Sequence, residues 1–377
     1  MHRFFLMLLL LALPTSAFAQ AKPDPTAVVF QASTPLPTFK ITVDDANLKK
    51  LKQEPRKYVR CTIVVGDKTY KEVAIHLKGA AGSFRNWDDK PALTLNCDKF
   101  VLDQNYHGLD KFHLNNSVQD GSYMNEIVCS QLAQKMGLPT ARATHAVVEL
   151  NGRKVGLYVL KEGYDKGFLK RNFPEASKGN LYDGGFLQDV DQKLQLDVGT
   201  PNDHKDLKAL ADACRIGDAK KRYEAVEKLV NVDLFVKNAA LQILACDWDG
   251  YMRNRNNYRL YFPSKDGKAV FVPHGMDQMF ANPGEGIWPG WGGTVARAIL
   301  EYPDGKKLAI AALKDLTEKH FTAEFIKSLD ARIATTRDGL MGINKDWARS
   351  FENEAKNYKE RLKQRMEYVK KELPKLK

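Results

Sequence analysis

Two acidic residues and an asparagine in the second half of the chain have types and spacing suited to phosphoryl transfer. Asp249 and Asn254 are five residues apart, in a polar segment that directly follows the apolar stretch from Val232 to Cys246. A kinase catalytic loop uses this Asp-x-x-x-x-Asn spacing to place a base for the incoming hydroxyl and an amide ligand for magnesium. Asp277, further along the chain, would supply a carboxylate to the same ion.

The same segment has a second interpretation, in which none of these residues takes part in a reaction. Asp247 and Asp249 would cap turns. The asparagines between Asp249 and Tyr258 would occupy tight loop conformations. An Asp-x-x-x-x-Asn spacing also occurs often by chance. The spacing alone therefore leaves both interpretations open.

A second cluster, in the first half of the chain, is suited to contacts with phosphate. Lys78 is followed by a Gly/Ala-rich turn, whose small residues let backbone amides approach a phosphate closely. Lys90 precedes the strand pattern of Ala92 to Asn96. Glu126 lies nearly opposite the apolar stripe of a predicted helix and would orient a phosphate-binding lysine. The alternative is an ordinary surface turn with solvated lysines and a solvated glutamate.

These candidates need a scaffold, and the chain up to about residue 160 is rich in strand patterns. One helix, from Met124 to Met136, has apolar residues on one face and ends at Gly137-Leu138-Pro139. The turn Asn151-Gly152 indicates a hairpin. The predicted strands are Phe39 to Val43, Val59 to Val65, Val73 to Lys78, Ala92 to Asn96, Lys111 to Leu114, Ala146 to Leu150 and Gly156 to Leu160.

Helical spacing dominates the second half, after a predicted loop that contains Gly179 to Gly185. The apolar helix Val232 to Cys246 is followed by two strand patterns, Tyr258 to Phe262 and Ala269 to Pro273. A long amphipathic helix from Phe351 to Leu373 ends the chain. The predicted fold class is α+β, with a β-rich first part that contains one helix and a mainly helical second part.

The first 19 residues have the features of a secretory signal peptide. The apolar run Phe4 to Leu13 is too short to span a bilayer, and Ala17-Phe18-Ala19 is a small-residue cleavage pattern. We expect cleavage after Ala19, a secreted, periplasmic or cell-envelope location, and no transmembrane anchor in the mature chain. The alternative is a retained N-terminal anchor. The proline-containing residues 20–37 are typical of a flexible lead-in.

Composition indicates a globular protein with a basic surface. Hydrophobic residues make up 44% and charged residues 28%, which excludes a disordered chain or a fibre. The formal net charge of +12 attracts anions such as nucleotides, acidic proteins, nucleic acid or an anionic envelope. Five cysteines occur singly, without the spacing of a zinc site, and one disulfide, for example between Cys61 and Cys97, is compatible with the sequence.

The combined pattern resembles the spore-coat protein H (CotH) kinase family, an atypical branch of the protein-kinase-like fold. The resemblance covers roughly residues 38 to 373 and extends to Arg365 in the last helix. It rests on motifs in matching order, namely Val73 to Gly79 with Gly82-Ser83, Lys90-Pro91, Gly108-Leu109, Leu114 to Asn116 with Asp120, Met124 to Glu126, Asn151-Gly152, Gly156 to Glu162, Asn180 to Tyr182, Asp249 to Tyr251, Asn254, Asn257-Tyr258 and Pro273 to Asp277.

The resemblance implies a two-lobed kinase-like domain, with an N-terminal lobe over about residues 38–160 and a C-terminal lobe over about 161–373. It implies magnesium-dependent transfer of the γ-phosphate of ATP to serine or threonine of an exported protein. In this family likeness, Asp249 corresponds to the catalytic base, and Asn254 and Asp277 correspond to magnesium ligands.

The nucleotide-binding residues implied by the resemblance lie mainly in the first part of the chain. Lys78 or Lys90 would contact the phosphates, and Glu126 would hold that lysine. The segment Leu160 to Glu162 would form the strand between the lobes against which adenine packs, which makes Glu162 a candidate contact.

One departure from the family pattern supports an alternative. The stretch Pro273 to Asp277 has one acidic residue fewer than the family usually shows, which would weaken a metal site and leaves a pseudokinase or an altered nucleotidyl chemistry as alternatives. The alternative is a catalytically inactive envelope or matrix scaffold that binds acidic partners through its basic surface. Nucleic acid is not an expected partner, because the basic residues are distributed along the chain rather than striped with aromatic residues.

Overall fold

The computed structural model describes residues 24–201, 203–264 and 267–376. The expected signal peptide, residues 1–19, and the start of the expected lead-in lie outside these residues. The described chain forms a β-rich section followed by a mainly helical section, so the predicted mixed α+β fold class is confirmed.

The β-rich section is a closed barrel of seven strands in the order β1-β2-β3-β4-β5-β7-β6. β1 pairs in parallel with β6, and the other neighbours are antiparallel. Buried apolar side chains such as Phe39, Ile75 and Phe112 fill the barrel. All seven strands were predicted from the sequence, and their bounds are β1 (Thr38–Thr42), β2 (Val59–Val65), β3 (Lys68–Lys78), β4 (Ala92–Asn96), β5 (Lys111–Asn115), β6 (Ala143–Leu150) and β7 (Arg153–Glu162).

Three helices belong to this section, namely α1 (Ala27–Phe30), α2 (Asp45–Gln53) and α3 (Asn125–Lys135). α3 is the predicted helix, and most of its residues are buried. The described part of the expected lead-in is attached to the barrel. Asp24 lies 2.7 Å from Arg142, directly before β6, and Thr26 and Val29 are buried.

A second, smaller antiparallel sheet has the order β11-β10-β8-β9, and its strands are β8 (Gly179–Asp183), β9 (Gln195–Val198), β10 (Tyr258–Pro263) and β11 (Val270–Pro273). The prediction of a loop from Gly179 onward was wrong, because its first five residues form β8. Gly179 is required there by a close approach of two strands: a Cβ atom on it would lie 2.2 Å from the carbonyl oxygen of Phe262. Gly179 therefore indicates two closely packed strands rather than a loop.

The helical section surrounds this sheet. A short π-helical turn, Leu316–His320, also belongs to this section. The helices of the section are α4 (Lys166–Asn172), α5 (Lys205–Cys214), α6 (Ala219–Leu229), α7 (Val232–Leu244), α8 (Tyr251–Asn254), α9 (Thr294–Leu300), α10 (Pro303–Asp315), α11 (Ala323–Met341) and α12 (Lys345–Glu372).

A fully buried arginine connects α12 to the end of α7. Arg365 donates to the carbonyl oxygens of Leu244, at 2.9 Å, and Ile243, at 2.6 Å. The last carbonyls of a helix have no partner within the helix, and a cation stabilises their partial negative charge. Arg365 therefore fixes the end of α7, from which the segment that contains Asp247 and Asp249 begins.

The five cysteines are free thiols, so the disulfide that the sequence allowed is not formed. Cys61 and Cys97 are both buried in the barrel, and burial raises the pKa of Cys97 to about 12. Among the described helices, we find none with the length and apolar character needed to cross a bilayer.

Candidate active site

A cavity of about 380 Å³ lies between the barrel and the smaller sheet. Four of the seven candidate residues line it, namely Lys78, Glu126, Asp249 and Asp277. The other polar lining residues that matter for its chemistry are Asn115, Asn116, Asp183, Asn256, Asn257 and His274. Residues far apart in the sequence thus converge on one polar cavity.

Asp249 is held by three asparagine amides in this cavity. Asn254 donates to its Oδ1 at 2.9 Å, and Asn256 and Asn257 each donate to its Oδ2 at 3.0 Å. Asn257 has a left-handed backbone conformation, with φ of 50°, which asparagine tolerates better than most residues. The asparagines therefore do occupy tight loop conformations, but they also orient the carboxylate of Asp249.

Asn254, the predicted magnesium ligand, is the amide that contacts Oδ1 of Asp249 and is half-buried. Asn256 and Asn257 line the cavity itself, and sequence reasoning assigned neither of them a role. The sequence did contain a signal for both asparagines, because they belong to a run of polar residues that follows an apolar helix. A Cβ atom on Gly275 would lie 2.5 Å from Oδ1 of Asn257, so glycine leaves room for that amide.

The loop that carries Asp249 rests on a buried carboxyl group. Asp247 is only 2% exposed, and its Oδ1 accepts a hydrogen bond of 3.2 Å from the backbone N–H of Asp249. Burial raises the pKa of Asp247 to about 7, because a charged carboxylate is disfavoured away from water. The turn-capping role considered for Asp247 is thus present in the structure.

Glu126 on α3 forms a buried ion pair with Lys161 on β7. The two side chains are 4% and 6% exposed, and Glu126 Oε1 lies 3.0 Å from Lys161 Nζ. Burial alone would lower the pKa of Lys161, but the Glu126 carboxylate beside it raises the pKa overall. The alternative of a solvated Glu126 was wrong, because α3 is packed on this side as well, and the lysine paired with Glu126 is Lys161 rather than Lys78 or Lys90.

Lys161 was missed by sequence reasoning, although a signal existed. A lysine within a buried apolar strand is rare unless it is paired, so the lysine in Leu160 to Glu162 itself indicated a buried partner.

The two lysines proposed as phosphate contacts occupy different environments. Lys78 lines the cavity, and its Nζ donates to Oδ1 of Asn115 at 2.7 Å. Burial lowers the pKa of Lys78 to about 8, an effect that the charge of Glu126 partly offsets. Lys90 donates to the Tyr123 hydroxyl at 2.5 Å and lies 4.7 Å from the centre of that ring. Lys90 is not among the described residues that line the cavity.

Glu162 also lies outside the set of described residues that line the cavity. Its carboxylate is buried between Arg142, at 3.0 Å, and Arg171, at 2.5 Å. These contacts join the residue directly before β6 to β7 and α4. The geometry thus gives Glu162 a role in connecting the barrel to the helix that follows it.

Asp277 follows β11, lines the cavity and is half-buried. Its backbone carbonyl accepts a hydrogen bond of 3.1 Å from the Asn125 side chain, which ties this segment to the start of α3. Burial and the nearby charge of Glu126 raise the pKa of the Asp277 carboxyl to about 6, while Lys161 and Lys78 oppose the shift. Two carboxylates and two lysines thus influence one another at one end of the cavity.

The donor set fits a magnesium ion that arrives with a phosphate ligand. Oε2 of Glu126 and Nδ1 of His274 are buried and have no hydrogen-bond partner in the described part of the chain. No cluster of three or more His, Cys, Asp or Glu side chains suited to a metal ion occurs among the described residues. Magnesium commonly uses one or two protein carboxylates and completes its shell with phosphate oxygens and water. Asp277 and Glu126 would hold such an ion.

The fold and cavity together define a mixed α+β protein with a polar site suited to an anionic ligand and a divalent cation. The family model described as "CotH kinase protein" matches residues 75–371, which is well over half of the chain. The chain therefore belongs to the CotH kinase protein family, as the sequence motifs predicted.

Two curated relatives match parts of the chain. "Invasin CotH7" of Rhizopus delemar is 22% identical over 265 residues, which cover 64% of this chain and 44% of the relative. "Inner spore coat protein H" of Bacillus subtilis is 24% identical over 198 residues, which cover 47% of this chain and 52% of the relative. The chain thus spans about half the length of the curated relatives it matches.

Two solved structures also match. The Helicobacter pylori proinflammatory kinase CtkA is 12% identical, with a TM-score of 0.30 over 71% of this chain and 91% of that chain. The HipA, HipB and operator DNA complex of Shewanella oneidensis MR-1 contains a chain that is 13% identical, with a TM-score of 0.31 over 78% of this chain and 66% of that chain. Family membership rests on the family match.

Proposed function

We propose that this protein is an exported kinase that transfers the γ-phosphate of ATP to serine or threonine of a secreted or envelope protein. The observation that carries the proposal is the position of Asp249, which faces the same cavity of about 380 Å³ as Lys78 and Asp277. Membership of the CotH kinase protein family supports it. The barrel with α3 is the N-terminal lobe of this proposal, the helical section is the C-terminal lobe, and ATP binds between them.

Asp249 orients the acceptor hydroxyl and accepts its proton as the oxygen attacks the γ-phosphorus, and the bond from that phosphorus to the β,γ-bridging oxygen breaks to release ADP. Three amides restrict the rotation of its carboxylate, so it meets the hydroxyl in one orientation. Phosphoryl transfer depends mainly on positioning and charge neutralisation, and a fixed acceptor geometry contributes directly to both.

Lys78 is the lysine that contacts phosphate, because its ammonium lines the cavity whereas that of Lys90 lies against Tyr123. Glu126 is held by Lys161, which leaves Oε2 of Glu126 without a hydrogen-bond partner in the described part of the chain. Asp277 and this oxygen would hold magnesium, and Asn254, which is not among the described residues that line the cavity, is a further candidate ligand. When bound, the ion would neutralise phosphate charge.

The proposed location is outside the cytoplasm, either secreted or in the cell envelope. The N-terminal sequence pattern supports it, and one matched relative is described as an inner spore coat protein. The proposed partner is an exported protein with an accessible serine or threonine.

A scaffold that binds acidic partners is the second candidate function. It is favoured by the single acidic residue in Pro273 to Asp277 and by the absence of a three-ligand metal cluster from the described residues. The first proposal requires nucleotide binding, whereas this one does not.

The test is phosphate transfer from γ-labelled ATP to the protein itself or to a serine-rich peptide, with magnesium. Removing a catalytic base typically lowers a rate by about 10²- to 10⁴-fold, so we expect at least a 100-fold loss in Asp249→Asn. Asp277→Ala should lose transfer similarly. The matched control is Asp304→Ala, an exposed aspartate on α10, which should retain activity. Undiminished labelling by folded Asp277→Ala protein would show that the site is wrongly assigned.

A further inference from the structure

A second, larger cavity lies at the opposite end of the smaller sheet from the candidate active site. This open groove has a volume of about 860 Å³. Its lining includes the apolar side chains of Val198 and Phe262 and three lysines, Lys166, Lys170 and Lys178. We call it the lysine groove.

The three lysines are exposed, and no carboxylate in the described part of the chain lies within ion-pair distance of them. Lys166 and Lys170 are four residues apart on α4, so like charges face the same side of the helix, which is unfavourable by itself. The aspartate that lines the groove, Asp206, accepts a hydrogen bond of 2.9 Å from the Tyr182 hydroxyl. The groove therefore has an apolar floor and three exposed lysines against one lining carboxylate, Asp206, while Asp110 lies close enough to Lys170 to interact with its charge.

The edge strand of the smaller sheet, β9, connects this groove to the candidate active site. β9 is at the edge of the smaller sheet, and β8 is its one strand neighbour among the described residues. Gln195, at one end of β9, is opposite Asp183, which lines the active-site cavity. Val198, at the other end, lines the lysine groove. At about 3.3 Å per residue, the edge covers roughly 10 Å between the two.

We propose that the lysine groove and the edge of β9 bind an acidic, extended segment of the protein substrate, an inference that rests on the proposed kinase function. Unpaired N–H and C=O groups of an edge strand pair with another extended chain, which favours a polypeptide over other polyanions. Acidic side chains of the segment contact Lys166, Lys170 and Lys178. The segment places a serine or threonine about four to six residues away, at Asp249.

The orientation of the bound segment follows from the sheet. All its strand pairs are antiparallel, and an added antiparallel strand runs opposite to β9, from the Val198 end to the Gln195 end. The N-terminal part of the segment therefore lies in the lysine groove and its C-terminal part at the cavity. The preferred substrate has its acidic residues on the N-terminal side of the acceptor.

Fluorescence anisotropy with labelled peptides tests the binding directly. The first probe has three glutamates, a spacer of four residues and one serine, and the second replaces the glutamates by glutamines. A third has the same residues in reverse order, and a fourth has proline in the spacer, which removes a backbone donor. We expect the first peptide to bind at least about tenfold more tightly than each of the other three.

Charge reversal locates the binding surface. The triple variant K166E/K170E/K178E should weaken binding of the first peptide at least about tenfold. The control K49E/K356E/K371E changes the net charge equally at exposed lysines elsewhere and should change affinity less than about threefold, since distant surface charges are screened. Both variants should phosphorylate a short serine peptide without glutamates at the wild-type kcat, with the groove variant raising KM for the acidic peptide alone.

Equal binding of the glutamate and glutamine peptides, or equal losses in the two triple variants, would overturn the inference. Full displacement of the first peptide by polyphosphate, together with equal affinity for the peptides with and without proline, would also overturn it. The edge of β9 would then not take part in binding. The anisotropy measurement needs no catalysis. Selective binding of the acidic peptide without any phosphate transfer would therefore support the groove proposal and contradict the kinase proposal.

Discussion

The carboxylate of Glu126 and the ammonium of Lys161 lie 3.0 Å apart, and both side chains are almost completely buried. The pair joins α3 to β7 at one end of the candidate active site. Two charges are stable in such surroundings only together, because each compensates the desolvation of the other. The pair therefore positions the free oxygen of Glu126 and stabilises the fold around it.

Lys161→Met should be strongly destabilising. Removing one partner of a buried ion pair leaves an uncompensated charge and costs about 3–5 kcal/mol in the free energy of unfolding. Urea denaturation provides the measurement. The double variant Lys161→Met/Glu126→Gln should be more stable than Lys161→Met alone, because no charge is left buried.

The exposed pair Lys319 and Asp315 provides the control, and Lys319→Met should lower stability far less than Lys161→Met, because solvent screens the exposed pair. A double variant less stable than the wild type by the sum of the two single effects would show that the two groups do not interact.

Binding of a magnesium–nucleotide complex should be strongest between about pH 6 and pH 8. Asp277, whose pKa is raised to about 6, must be ionised to hold magnesium, so affinity falls as the pH drops through 6. Lys78, whose pKa is lowered to about 8, must be protonated to attract phosphate, so affinity falls as the pH rises through 8. Calorimetry from well below pH 6 to well above pH 8 measures both limbs.

Lys78→Arg is the matched variant for the alkaline limb, because arginine stays protonated throughout. Its nucleotide affinity should no longer fall above pH 8. An alkaline limb that persists in this variant would assign the titration to another group.

Lys78→Met should weaken nucleotide binding, and Lys90→Met should not. A hydrogen bond to a charged group contributes about 1.5–3 kcal/mol, so loss of the Lys78 contact with phosphate should lower affinity by at least about tenfold. Lys90 lies against Tyr123 and Tyr158, and its replacement should lower stability by about 1 kcal/mol instead. Isothermal titration and thermal denaturation separate the two effects, and the opposite pattern would exchange the roles of the lysines.

Asp247→Asn should make the protein more stable at alkaline pH. The folded-state pKa of Asp247, about 7, is higher than that of an unfolded aspartate. The contribution of this carboxyl to stability is thus fully present below pH 3.8 and is lost as the pH rises through 7. Asparagine removes this loss and still accepts from the Asp249 N–H, so the variant should gain about 2–4 kcal/mol at pH 8.

Denaturation of both proteins at pH 5.5 and pH 8 provides the measurement, since titration of all other groups cancels in the difference. A variant no more stable than the wild type at pH 8 would show that Asp247 is not a buried carboxylate at that pH.

Much of the β-rich section could be predicted from the sequence, because its strands and α3 have strong local patterns. β2 and β4 have the predicted bounds, Val59–Val65 and Ala92–Asn96. β8 was missed because glycine is required at position 179 by the close approach of Phe262. Phe262 is 83 residues away, so a local sequence pattern does not contain this information. Strand pairing of this kind is fixed by tertiary contacts rather than by propensity.

The candidate site was predicted in part. Asp249, Asp277, Lys78 and Glu126 converge on one cavity, as their residue types suggested. The partner of Glu126 could not be read from spacing, because Lys161 lies on β7, 35 residues further along the chain. Family membership, by contrast, followed from the order of short motifs along the whole chain.

The central claim, that this cavity binds a magnesium–nucleotide complex, is tested most directly by calorimetric titration with a non-hydrolysable ATP analogue. We predict binding that requires magnesium, is lost in Asp277→Ala and is retained in Asp304→Ala. Absence of detectable binding up to millimolar nucleotide, or binding that neither magnesium nor Asp277→Ala affects, would contradict the account.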